Sequence, residues 1–178
     1  DNNTAGMSIS AISNNTAEDG TTATFTIELD SQPSSSVIIG VSSSDSTEGT
    51  ASTAILSFTS NNWNSPQTVT VTGVNDDVDD GDQAYSIVLA AAISDDSDYH
   101  DSNPNDVVLT NIDNNTTGMT VSAISRNTAE DGTTATFTVV LASEPTNDVT
   151  VGVSSTDTTE GTVAISGLTF SASNWNTP

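Results

Sequence analysis

The chain has 178 residues, with 24 acidic side chains against one basic residue, Arg126, no Cys, and a formal net charge of −23. That balance excludes nucleic acid and anionic membrane surfaces as partners, since both recruit Lys and Arg, and it points to cations instead. Without Cys no disulfide staples the fold, and no apolar run approaches the roughly 20 residues that cross a bilayer.

Low aromatic content with abundant Thr, Ser and Asn is a composition shared with disordered chains, but the apolar residues are strongly patterned and predict a folded protein. Met7–Ile12 is the first predicted strand. Glu18 and Asp19 follow in a turn-forming AEDG stretch. From 22 to 29 Thr and Glu alternate with Ala23, Phe25, Ile27 and Leu29, a period of two that places the apolar set on one face of a half-buried strand. Val37, Ile39 and Val41 repeat the period, and a loop with Asp45 and Glu48 leads to a short strand near Ile55–Phe58. Trp63 falls in the next loop, where it is expected to plug the end of the core. Val69 and Val71, then Tyr85, Ile87 and Leu89, mark two more strands around an acidic loop with Asp76, Asp77, Asp79, Asp80 and Asp82. A polar loop with Asp95, Asp96, Asp98, His100 and Asp101 precedes the seventh strand, Val107–Ile112. Seven short strands without helical periodicity predict an all-β fold of immunoglobulin-like antiparallel β-sandwiches, about seven strands per repeat.

At Asp113 the sequence starts again. DNNTAGMSISAISNNTAEDGTTATFT at 1–26 returns as DNNTTGMTVSAISRNTAEDGTTATFT at 113–138, and 41 of 66 positions are identical between 1–66 and 113–178 at an offset of 112. The expected organisation is tandem: repeat 1 over 1–112, and the first four strands of repeat 2 over 113–178. With no signal peptide in view, the expected context is the interior of a longer secreted chain. Residues 67–178 hold one complete strand set in permuted order, so sharing of domains between identical chains in a filament is a further expectation.

Alternating strand direction brings ten carboxylates to one end of repeat 1: Glu18, Asp19, Asp45, Glu48, the five Asp of 76–82, and Asp113. Like charges about 5 Å apart repel by roughly 1 kcal/mol in water and more near protein, and no Lys or Arg is at hand. Oxygen-only donors suit Ca²⁺, which takes six to eight of them, rather than zinc or copper. The alternative is a merely solvated acidic surface. The acidic loop at 95–101 is open to both readings as well. His100 has no nucleophile or second base beside it, so no enzyme is expected. Asn2, Asn14, Asn114 and Asn115 begin N-x-Thr matches of the kind that arise by chance in this composition, and Arg126 is read as surface variation.

The stretches TAEDGTTATFTIEL, QTVTVTGVNDDVDDGDQAYSIVL and VVLTNIDNN, in this order and spacing, resemble the Calx-beta domain, and the likeness spans essentially the whole repeat. The resemblance implies an immunoglobulin-like sandwich that binds Ca²⁺ at its bottom loops and recurs in large bacterial surface proteins. By position it implies ligands at Glu18, Asn75, Asp76, Val78 (through its carbonyl), Asp80, Gln83, Asp113, Asn114 and Asn115, with Glu130, Asp157 and Glu160 as second-repeat counterparts. Asn75, Gln83, Asn114 and Asn115 are amides where the family often has acids; fewer charges imply weak binding, in the roughly 10⁻⁴–10⁻³ M range of extracellular modules. The implied role is a calcium-stiffened spacer of an extracellular adhesin or surface filament. The alternative is a glycan- or protein-binding module using Trp63 or the 95–105 loop.

Overall fold

A computed structural model describes residues 4–178. They form two compact units: one runs to Asp76 and resumes from Gly81 to Asn114, and the other joins Asp77–Asp80 to Asn115–Pro178. No described residue is helical, and no helix is long and apolar enough to cross a membrane. Asn2, singled out above as a sequon, lies outside the described residues.

The first unit contains β1 (Met7–Ile9), β2 (Thr16–Ala17), β3 (Thr22–Leu29), β4 (Val37–Ser43), β5 (Gly49–Ala51), β6 (Ile55–Phe58), β7 (Gln67–Gly73), β8 (Gln83–Leu89), β9 (Ile93–Ser94) and β10 (Val107–Ile112). One sheet has the order β1-β3-β7-β5. The other runs β2-β10-β8-β4-β6, with β9 also on β4. The period of two seen in the sequence becomes burial: every second residue of β3 from Ala23 to Leu29 is buried, and β4, β7, β8 and β10 alternate likewise. Phe25 pairs with Val69, Tyr85 with Leu109 and Val41 with Leu89. The inward faces of both sheets feed one apolar cluster, a sandwich-like arrangement. Trp63 packs on this cluster, as the plug reading expects, and its carbonyl accepts the Leu29 amide at 2.9 Å.

Ten segments appear where seven strands were expected. The added ones, β2, β5 and β9, are two or three residues long and are held by partners rather than by a pattern of their own. The first strand also ends sooner than Ile12. After Ile9, Ser10 and Ser13 line the edge of β3, and their hydroxyls accept the Thr26 and Thr24 amides, each at 2.9 Å. The chain then crosses to the other sheet, where β2 runs parallel to β10, so the arrangement is not purely antiparallel.

The second unit holds β11 (Met119–Val121), β12 (Val139–Leu141), β13 (Val149–Gly152) and β14 (Gly167–Phe170), paired as two separate two-stranded antiparallel sheets. Its buried cluster is small: Val139, Leu141 and Phe170, with Trp175 packed against them.

Gly49 is a close-approach glycine, since a Cβ there would run into the Tyr85 ring, whereas its counterpart Gly161 faces open space. Gly49→Ala is therefore expected to destabilise the first unit by about 1–3 kcal/mol through overpacking. Gly161→Ala should leave stability nearly unchanged, and denaturant titration of the two variants checks both.

Candidate metal centre

Strand pairing draws the acidic segments of the first unit together at one end. Ala17 lies opposite Ile112 in the parallel β2–β10 pair, which places Glu18 beside Asp113; the Glu18 amide donates to the Ile112 carbonyl at 3.1 Å. In the other sheet Gly49 pairs with Gly73, so Glu48 meets Val74, whose amide donates to the Glu48 carbonyl at 3.0 Å. Asn111 couples the two sheets. Its Nδ2 donates to the Val74 carbonyl at 2.9 Å and to Glu48 Oε2 at 3.4 Å.

Glu18 is only 6% exposed, and its Oε2 accepts the Asn114 amide at 3.1 Å. Asn114 Nδ2 donates to Asn75 Oδ1 at 3.3 Å, and Asn75 Nδ2 to the Asp76 carbonyl at 2.8 Å. Asp113 accepts the Gly81 amide through Oδ2 at 2.7 Å, and its own amide donates to Asp82 Oδ1 at 3.1 Å. Oxygens of Glu48 and Asp76 come within 4.8 Å of each other. At that separation two carboxylates repel by about 1 kcal/mol in water and more at a protein surface. Neutral amides donate to several of these carboxylates, and the one Lys or Arg in the sequence, Arg126, belongs to the other unit.

The remaining expected ligands are placed differently. Asp45 caps its own turn: Oδ1 accepts the Thr47 amide at 3.0 Å and the Thr47 hydroxyl, and these bonds, the hydroxyl first, hold its pKa below the usual carboxylate value. Asp157 repeats this turn with Thr159, with the same depression. Gln83 opposes Asn111 at the start of β8. Asp77, Val78 and Asp80 belong to the second unit, where the Glu144 amide donates to the Asp77 carbonyl at 2.7 Å and Val78 bridges Glu144. Asn115 lies in that unit as well. Glu130, Asp157 and Glu160 are exposed and do not gather into a group of three among the described residues.

Sequence reasoning missed Asn111. It is 1% exposed and continues the inward series of Val107 and Leu109, so an amide at the third inward position of an otherwise apolar strand face was the available signal. Its Oδ1 is buried without a hydrogen-bond partner and lies against Gly73 and the Ala17 carbonyl. The donor set of this end is carboxylate, amide and carbonyl oxygen throughout, which fits a hard cation such as Ca²⁺ and does not fit a soft one.

The 95–105 loop is tied down locally. Buried Tyr99 donates its hydroxyl to the Ser31 carbonyl at 2.7 Å and accepts the Ser31 amide at 3.1 Å. Asp96 accepts the amides of Ser34 at 2.7 Å and Asp98 at 3.0 Å, and these bonds, the Ser34 one foremost, lower its pKa. A depressed folded-state pKa stabilises the fold above the unfolded value of about 3.9 and ceases to do so as pH falls through the folded value. Asp96→Ala is thus expected to be destabilising at neutral pH, with the gap from the parent closing below about pH 4; thermal melts across an acid series read this out.

No family model matches this sequence and no curated protein matches it either, so the Calx-beta likeness rests on the motifs quoted above.

Proposed function

We propose that the first unit is a Calx-beta-like, immunoglobulin-like repeat that binds Ca²⁺ at the end carrying Glu18, Glu48, Asp76, Asp82 and Asp113. In this reading it serves as a structural spacer in an extracellular bacterial adhesin or surface filament. The observation that carries the reading is the convergence of these carboxylates, from four separate stretches of sequence, in a unit with no Lys or Arg. Ca²⁺ would be held by carboxylates of Glu48, Asp76 and Asp113 together with amide and carbonyl oxygens, and would supply the positive charge the chain lacks. Nothing in this role calls for catalysis. The spacer reading is preferred over a glycan- or protein-binding module because Trp63 packs on the core and Tyr99 is buried. Tyr99 is buried and Trp63 is partly buried against the core, which leaves neither as an open stacking surface.

Asp113 heads the connection to the next repeat and is tied to Gly81 and Asp82, so a cation bound there would stiffen the chain where it leaves the first unit. With dissociation constants of roughly 10⁻⁴–10⁻³ M, about 10 mM Ca²⁺ should add about 1.4–2.7 kcal/mol per bound ion to the stability of the first unit. Chelator should remove this increment, and Glu48→Gln with Asp76→Asn should abolish it. A calorimetric melt that is identical in Ca²⁺ and in chelator at equal ionic strength would leave solvated acids as the better reading. Small-angle scattering should detect a calcium-dependent increase in maximum dimension; no response to chelator would rule out the stiffening.

A further inference from the structure

Residue 111 sits where the strand pattern calls for an apolar side chain. Val107, Leu109 and Asn111 are the buried positions of β10, and Asn111 is 1% exposed. Its side chain uses one end only. Nδ2 donates to the Val74 carbonyl at 2.9 Å and to Glu48 Oε2 at 3.4 Å, whereas Oδ1 is buried with no hydrogen-bond partner. A buried acceptor that makes no hydrogen bond has lost its hydration and gained nothing for it. Bracing the two sheets accounts for Nδ2 and leaves Oδ1 unexplained.

The surroundings of the two ends account for both. On the Oδ1 side stands the Ala17 carbonyl, and the two oxygens crowd the place where a Cβ on Gly73 would be, so only glycine fits there. Two acceptors offer each other nothing. A carbonyl oxygen has two lone pairs, so the bond that Ala17 accepts from the Gly20 amide at 3.1 Å does not bar a second. On the Nδ2 side stand two oxygens of the acidic end, from Val74 and Glu48, and the Glu48 and Asp76 carboxylates come within 4.8 Å of each other. Half a turn about the Cβ–Cγ bond exchanges the two ends of the side chain. Nδ2 then faces Ala17, and Oδ1 takes the place beside Val74 and Glu48. Without a cation that arrangement gathers three acceptors and no proton. With a cation beside Glu48 the preference reverses, since each of those oxygens gains a positive partner and Ala17 gains a donor.

We propose that Asn111 is an ion-dependent switch and a further Ca²⁺ ligand. When Ca²⁺ is held at Glu48 and Asp76, Oδ1 turns to the ion and Nδ2 donates to the Ala17 carbonyl. When the ion leaves, the side chain turns back and Nδ2 stands in for it between Val74 and Glu48. Neighbouring ligands of one Ca²⁺, each about 2.3–2.6 Å from the ion, stand about 3 Å apart. The separations of 2.9 and 3.4 Å around Nδ2 already match that spacing, so an oxygen in its place needs little backbone movement. The switch also links ion binding to the β2 corner, because Ala17 precedes Glu18. It rests on the Ca²⁺ reading of this end and adds a ligand outside the set that the Calx-beta likeness implies.

The test uses the 178-residue chain, isotope-labelled for NMR, in chelator and in about 10 mM Ca²⁺, above the roughly 10⁻⁴–10⁻³ M range given above. Nuclear Overhauser contacts from the Asn111 Nδ2 protons to the Gly73 α-protons should strengthen in Ca²⁺, and the Asn111 Cγ resonance should move downfield as Oδ1 meets the ion. In calorimetric titrations Asn111→Leu should bind Ca²⁺ about 10–100-fold more weakly than the parent. Asn111→Asp, which returns an oxygen to the same place, should bind at least as tightly as the parent. If Asn111→Leu fails to fold, the NMR of the parent decides alone. A parent that binds Ca²⁺ while the Gly73 contacts do not strengthen, or an Asn111→Leu chain that binds as tightly as the parent, overturns the switch and leaves the Ca²⁺ reading standing. A parent that takes up no Ca²⁺ overturns both.

Discussion

Everything in the first unit depends on residues 67–112 lying across residues 1–66. The β3–β7 and β4–β8 ladders make the two sheets, and the apolar rows they carry meet in one cluster. A strand with one apolar face has nowhere to hide it until a second layer arrives. Among the described residues, the same Thr-Ala-Thr-Phe-Thr run at 134–138 keeps its alternation in sequence, has no ladder partner like β7 and is not strand. Patterning is necessary for these strands, and pairing makes them.

The same pairing sets the electrostatics. Glu18 reaches Asp113 only because β2 lies parallel to β10, and Glu48 reaches Val74 only because β5 joins β7. Asn111 then ties one sheet to the other through Val74 and Glu48. Folding therefore concentrates negative charge, and neutral amides donate to Glu18, Glu48, Asp82 and Asp113. Such donors orient carboxylates without cancelling their charge, and the proposed Ca²⁺ reading rests on that imbalance.

Local turns account for other acids without invoking a ligand. Asp19, Asp45, Asp131 and Asp157 each accept the hydroxyl and amide of the Thr two residues on, and each is more acidic for it. These D-x-T turns occur in both copies and survive in the second, where the long-range cover is absent, because their partners lie two residues away. Acidity in the first unit thus divides into turn-forming Asp and an end cluster built by distant contacts.

Sequence alone determined the elements that carry their own signal. Period-two alternation located β3, β4, β7 and β8, short apolar runs located β6 and β10, the internal repeat located the second copy, and Trp63 was legible as a core plug. The same reasoning gathered Glu18, Glu48, Asp76 and Asp113 at one end from alternating strand direction. It could not see β2, β5 or β9, whose two or three residues become strand only beside a partner distant in sequence. Nor could it weigh Asn111, whose role requires knowing that Val74 and Glu48 stand across from it. Alternation states which side of a strand seeks burial, and only the contacts between distant segments decide whether burial is found.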